Sequence, residues 1–325
     1  MARIHISEPI DPQAVTMLSA YGEVDIAEPF TPLAELYERI KDAEIVINLT
    51  DTTPVDKAFI DAAPKLRHIA RHASGYDNVD VAYATEKGIL VTNAAGGNAR
   101  TMAEFTMGLM LAVVRKVLPS VDASRQGRPD RTHYRGFELH GKTLGLVGTG
   151  YVGRAVARLA AAFGMTIIGY DAYASDEDMA AAGIKRVDSL EALLAGSTVV
   201  SLHVPLTDAT WHMIGARELA FMQPGSILMN MARGGVLDEA ALIEAVRSGH
   251  LAGAALDVVE NEPIAPDNPL LHVDNILAVP HIGGQTGEAF SNNSMIVARD
   301  VLAYARGERP DHIINPQVLT QGNAD

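Results

Sequence analysis

Cysteine is absent from the 325 residues, so disulfides, thiolate metal sites and a cysteine nucleophile are excluded outright. Long hydrophobic runs are missing too. The best candidate, 105–114, contains Thr106 and Gly108 and runs into Arg115 and Lys116, well short of the roughly eighteen apolar residues a membrane span needs. Positive charge is scarce: 26 Lys and Arg against 40 Asp and Glu leave a net charge of −14, which repels nucleic acid and anionic membrane surfaces alike. Neither is expected as a partner. The start of the chain alternates as a strand does instead of showing the basic, apolar, small-residue order of a secretion signal, so the expectation is a mature chain equal to the encoded one. A cytoplasmic location is the default. No repeat of fixed period and no low-complexity tract is present.

What is there is a core. Apolar residues reach 48%, which excludes a disordered or fibrous chain, and the length, at about 150 residues per domain, favours two domains. Short Val- and Ile-rich runs at 44–49, 66–71, 144–148, 166–170, 199–203, 227–231 and 276–279 alternate with helix-like stretches at 101–118, 152–163, 189–195, 238–248 and 288–306. Such alternation is the mark of βαβ units and a parallel sheet. Two regions interrupt it: a polar stretch at 126–141, read as a surface connection, and 260–269, whose three prolines impose an irregular loop.

The segment 144–153, LGLVGTGYVG, places GxGxxG where an apolar strand turns into a helix. Gly148 permits the tight turn, Gly150 lets a pyrophosphate approach the backbone, and Gly153 lets helix and strand pack closely beneath the helix N-terminal amides. Asp171 follows 23 positions after Gly148, at the end of the next strand, near the spacing at which an acid meets the adenosine ribose. A carboxylate there repels a 2′-phosphate, and residues 172–176 hold no Arg or Lys to neutralise one, so NAD is favoured over NADP.

Ligands of an open parallel sheet bind beyond the carboxyl ends of its strands. Three such positions carry a fixed cation, an acid and a base: Arg233 before two glycines, Glu262 before Pro263, and His281 before Ile282-Gly283-Gly284. Arg233 offers a planar fork for a carboxylate, His281 has the right ordinary pKa to exchange a hydroxyl proton, and Glu262 can orient the imidazole. Taken singly, Arg233 is equally explained as a turn arginine, while an ordinary histidine and a solvated loop acid are the commoner readings of His281 and Glu262. Together they compose a hydride-transfer site for a small hydroxy acid.

With these motifs in their order, and with SLHVPLT, LMNMARGGVLDEAAL, GAALDVVENEP, VPHIGG and RHASGYDNVD, the chain resembles the D-isomer-specific 2-hydroxyacid dehydrogenases over nearly its whole length, phosphoglycerate dehydrogenase-like members most of all. The resemblance implies an α/β fold of two Rossmann-like doubly wound parallel-sheet domains, one flavodoxin-like and one dinucleotide-binding. A discontinuous substrate domain would comprise 1–98 and 287–325, and the NAD-binding domain 99–286. It implies Arg233, Glu262 and His281 as the catalytic group, and NAD contacts from Tyr151, Val152, Val204, Pro205, Met231, Asp257 and Gly283 beside the glycines and Asp171. Ser74 and Gly75 match the carboxylate-binding turn, with Arg71 beside it as a candidate for a distal anionic group.

The substrate would be a small anionic 2-hydroxy or 2-oxo acid: 3-phosphoglycerate, glycerate/hydroxypyruvate or a sulfolactate-like acid. The assembly would be a homodimer. Ending at Asp325, the chain is expected to lack the regulatory domain through which many phosphoglycerate dehydrogenases sense serine. A formate or phosphite dehydrogenase is the same-fold alternative, and an NAD-sensing corepressor the alternative from another class.

Overall fold

The computed structural model describes residues 2–49, 53–128 and 132–321. The chain divides into two compact units, Met1–Asn98 with Gln285–Asp325, and Ala99–Gly284. In the first stretch β1 (Ala2–Ile6), α1 (Pro12–Ser19), β2 (Gly22–Ile26), α2 (Leu33–Ile40), β3 (Ile45–Asn48), α3 (Lys57–Ala62), β4 (His68–Arg71), α4 (Val81–Glu86) and β5 (Leu90–Asn93) alternate strictly. The second unit opens with α5 (Ala99–Val114) and α6 (Val117–Arg125), followed by β6 (Thr143–Val147), α7 (Tyr151–Ala162), β7 (Thr166–Tyr170), α8 (Asp176–Ala181) and the two-residue β8 (Lys185–Arg186). It continues through α9 (Leu190–Gly196), β9 (Val199–Leu202), α10 (Ala216–Phe221), β10 (Ile227–Asn230), α11 (Glu239–Arg247), β11 (Gly253–Leu256) and β12 (Ile276–Ala278). The long α12 (Gly287–Ala305) and short α13 (Val318–Gln321) then return to the first unit.

Both sheets are parallel throughout. The first has the order β2-β1-β3-β4-β5, the flavodoxin arrangement, and the second β12-β11-β10-β9-β6-β7-β8, a dinucleotide-binding order extended by one strand. Strands β3, β4, β5, β9, β10 and β11 are buried at every position, as strands covered by helices on both faces must be, which is why they read as mostly apolar runs without a polar face. Helix α7 packs through Gly153, Val156, Ala157 and Ala160, a single stripe at helical spacing. Side chains of Asp11, Asp56, Asp80, Ser175, Ser189, Asp238 and Thr286 cap the helices that follow them, each contributing about 1 kcal/mol.

One sequence expectation is corrected. The helix anticipated over 101–118 is two helices, broken at Lys116, which adopts a left-handed φ of 50°. Pro119 supplies the reason: in a continuous helix its ring would collide with the preceding turn, whereas the break places it in the first turn of α6, where no amide hydrogen is needed.

Candidate active site

The glycine turn after β6 is built by contact distances. Gly148 has φ +90°, and a Cβ there would lie 2.8 Å from the His203 carbonyl; one at Gly153 would lie 2.3 Å from Gly148 O. Gly150 faces open space. It is also the N-cap of α7, and no side chain caps that helix, so its first-turn amides are left for an anion. This cradle fits a dinucleotide pyrophosphate. Tyr151 is exposed and Val152 half-buried at its lip, while Val204 and Pro205 follow β9 beside it.

Asp171 is bound into the same turn. Its Oδ2 accepts from the Thr149 amide at 2.7 Å and hydroxyl at 3.2 Å, and Oδ1 from the amides of Tyr173 and Ala174 at 2.8 and 2.9 Å. Partial burial pulls its pKa upward, but these donors outweigh it and hold the carboxyl below its ordinary value. The acid is thus fixed as an anion within the turn. A cation that local sequence reading missed also reaches this loop: Arg186 of β8 donates to the Asp171 carbonyl at 2.8 Å, to the Ala174 carbonyl and to the Asp176 carboxylate. Register with β7 brings it there, a pairing invisible in a window of residues 172–176.

The cation, acid and base sit on loops after three neighbouring strands, β10, β11 and β12. Asn230, buried at the end of β10, pins the arginine loop by donating to Arg233 O at 2.9 Å and accepting from the Ala232 amide at 3.1 Å. The Arg233 guanidinium donates to Ala232 O at 2.8 Å. His281 Nδ1 and Glu262 Oε2 are 2.8 Å apart, and both side chains are 37% exposed. The hydrogen bond from Glu262 is the largest influence on His281 and raises its pKa, aided by the charges of Glu262 and Asp257 and opposed by desolvation and by Arg233. For Glu262, desolvation pushes up, but the bond and charge of His281 bring the pKa below its ordinary value. The pair therefore favours imidazolium and carboxylate. Arg233 acts electrostatically on both, so the three groups share one neighbourhood.

Asp257, 1% exposed, takes the amides of Ile282 at 2.9 Å and Gly283 at 3.0 Å on Oδ1, and its carbonyl takes the His281 amide at 2.9 Å. A Cβ at Gly283 would stand 2.5 Å from Oδ2, so glycine is what lets this carboxylate hold the histidine turn. Burial raises the Asp257 pKa. Met231 is buried directly before the arginine loop.

Three candidates belong to the other unit. Ser74 Oγ donates to Asn98 Oδ1 at 3.0 Å and to Ala94 O at 3.3 Å, and the half-buried Gly75 follows it. Arg71 lies in β4 just before this turn. It is 0% exposed, and its guanidinium donates to Asn48 O and Oδ1 at 3.1 and 3.0 Å, to Leu49 O and to Gly75 O at 3.2 Å. These bonds tie it to the loop after β3 and to the turn itself, because a buried guanidinium must find acceptors within the fold. Arg131, in the polar stretch at 126–141, lies outside the described residues.

Comparison with known proteins adds the lineage. Residues 107–283 match the model of the D-isomer specific 2-hydroxyacid dehydrogenase NAD binding domain. The D-3-phosphoglycerate dehydrogenase of Methanocaldococcus jannaschii is 42% identical over 99% of this chain, which spans 61% of that protein. The glyoxylate reductase of Korarchaeum cryptofilum is 39% identical over 98% of this chain and 97% of its own. Among solved structures, a glyoxylate reductase from Paecilomyes thermophila superimposes with a TM-score of 0.88 at 31% identity, covering 98% of this chain and 99% of its own. A family model that matches more than half of the chain, and 39% identity over 97% of a relative's length, are what common descent leaves: the chain belongs to the D-isomer specific 2-hydroxyacid dehydrogenase family.

Proposed function

We propose that this protein is an NAD-dependent D-2-hydroxyacid dehydrogenase whose unit 99–284 binds the cofactor and whose other unit serves the substrate. The observation that carries it is the His281–Glu262 pair at 2.8 Å beside the Arg233 loop, on the same sheet as the glycine turn. NADH, when bound, supplies hydride to the carbonyl carbon of a 2-oxo acid. Arg233 pairs with the substrate carboxylate and polarises the carbonyl oxygen. The His281 imidazolium gives its proton to that oxygen, leaving a hydroxyl and a neutral ring; in oxidation the neutral ring takes the proton back. Glu262 keeps the ring oriented and protonated. Asp257 holds the turn that carries it, with Gly283 and Met231 beside the nicotinamide end. Asp171 favours NAD over NADP, and the Ser74–Gly75 turn is the carboxylate-binding candidate of the other unit.

Small unphosphorylated acids such as glyoxylate and hydroxypyruvate are the favoured substrates. Two observations support this: the Arg71 guanidinium is buried and donates to Asn48, Leu49 and Gly75, and the glyoxylate reductase of Korarchaeum cryptofilum matches over 97% of its length. The proposal extends to a homodimer in the cytoplasm, on the strength of the family resemblance. Among the described residues, no helix is long and apolar enough to cross a membrane. NADH and NADPH consumption across glyoxylate, hydroxypyruvate, phosphohydroxypyruvate and sulfopyruvate tests the assignment. Turnover with none of them would remove it, and light scattering checks the dimer.

A further inference from the structure

The segment after β9 carries a Trp–His pair that the reaction above does not use. The rings of Trp211 and His212 stack with centroids 4.7 Å and planes 13° apart. His212 holds a left-handed φ of 48°. From there its amide donates to Gly235 O at 2.8 Å, and its Nε2 lies 2.8 Å from Glu260 Oε1. Glu260 is held from its other side, its amide donating to Glu239 Oε1 at 2.6 Å.

Glycines allow these loops to touch. A Cβ at Gly235 would meet the Trp211 indole at 2.5 Å, and one at Gly234 would meet the Val259 carbonyl carbon at 2.0 Å and the Glu260 nitrogen at 2.3 Å. Residues 211–212 therefore join the loop carrying Arg233 to the segment carrying Glu262. That segment is short. Val259 donates to Glu262 Oε1 at 3.2 Å, so a shift at 259–260 is passed to the carboxylate that partners His281. The His212 and Glu260 side chains are 35% and 25% exposed, and a pair so open to water adds little stability. Its effect is geometric.

We propose that His212 is a positioning residue of the active site: gripping Glu260 by its ring and Gly235 by its amide, it keeps the arginine and glutamate loops in register so that Glu262 stays on His281. This rests on the dehydrogenase assignment above. The charged groups facing His281 are Glu262, Asp257 and Arg233, and those at Glu260 are His212 and Glu239.

The test uses the full chain with His212→Ala, His212→Gln, Glu260→Ala and the His212→Ala/Glu260→Ala double variant. Oxo-acid reduction by NADH is followed across pH beside thermal unfolding. His212→Ala should lower kcat about tenfold, as expected for a small misplacement of reacting groups, and leave KM for NADH within about twofold. The alkaline limb of the rate profile should move to lower pH, because His281 loses part of the hydrogen bond that raises its pKa. His212→Gln, whose amide can reach the same carboxylate, should restore most of kcat. The double variant should be no worse than either single, since both cut one link.

An unchanged kcat with an unmoved limb, fully additive losses, or a fall in unfolding temperature without glutamine rescue each overturns the role. Glu260→Ala leaves the strained backbone at 212 untouched and covers the case in which His212→Ala fails to fold. A wild-type chain that consumes no NADH sinks the dehydrogenase assignment; a working wild type beside an equally fast His212→Ala sinks the role of His212 alone.

Discussion

Replacing Gly234 by alanine drives a wedge between two loops that the proposed chemistry needs together. The added Cβ would start 2.0 Å from the Val259 carbonyl carbon and oxygen and 2.3 Å from the Glu260 nitrogen, all backbone atoms that cannot rotate away. Ordinary contact begins at 3.4 Å, so the loops must part by 3.4 − 2.0 = 1.4 Å along that line. Misplacement of about 1 Å costs roughly 10²-fold in rate, equivalent to about 2.7 kcal/mol of transition-state stabilisation. The expected result is a kcat for oxo-acid reduction down by about that factor. NADH binding by calorimetry should be nearly unchanged, because the atoms nearest to that Cβ belong to Val259 and Glu260 and not to the glycine turn after β6. A Gly234→Ala enzyme within about threefold of wild type would show that Arg233 and Glu262 need not be held at this distance, and the convergence argument would fail.

Replacing His281 by alanine should lower turnover roughly 10²-fold or more while NADH still binds. In the wild type, reduction needs imidazolium, so its rate falls as pH rises through the raised pKa of His281, and oxidation falls as pH drops below it; profiles flat through that range would clear His281 of proton transfer. Asp171→Ala should weaken NADH more than NADPH, and calorimetry showing an unchanged ratio of the two dissociation constants would shift discrimination to another group. His68 is fully buried against Thr92, and desolvation pushes its pKa down to about 3. The fold keeps it neutral while the unfolded chain protonates it, so its contribution to stability is present above the unfolded pKa near 6.5 and is lost as pH falls toward about 3. Going from about pH 7.5 to about pH 5 this amounts to about 2 kcal/mol, and the stability gap between wild type and His68→Leu in urea should shrink by that amount. A constant gap would mean the ring is not held neutral.

Patterns that need only a few neighbouring residues were readable from the sequence. The glycine turn, the acid at the end of β7 and the buried strands follow from steric and periodic rules acting over short windows. Long-range geometry was not. Arg71 looked available for a ligand because nothing near it announces that carbonyls from the end of β3, some 22 residues earlier, take its hydrogens. Arg186 reaches the ribose-side loop only through strand pairing. Asp257 could as well have been a helix cap, until its carboxylate is seen receiving amides 25 and 26 residues away. The break at Lys116 was signalled by Pro119, but apolar periodicity continuing across it hid the signal.

Trp211 is the only tryptophan in the chain. Its emission is therefore a site-specific optical signal that needs no label. The indole stacks on His212 and fills the space above Gly235, two residues from Arg233. The indole's emission overlaps the absorption of the reduced nicotinamide, so energy transfer gauges NADH occupancy directly, measurable in a stopped-flow cell without turnover.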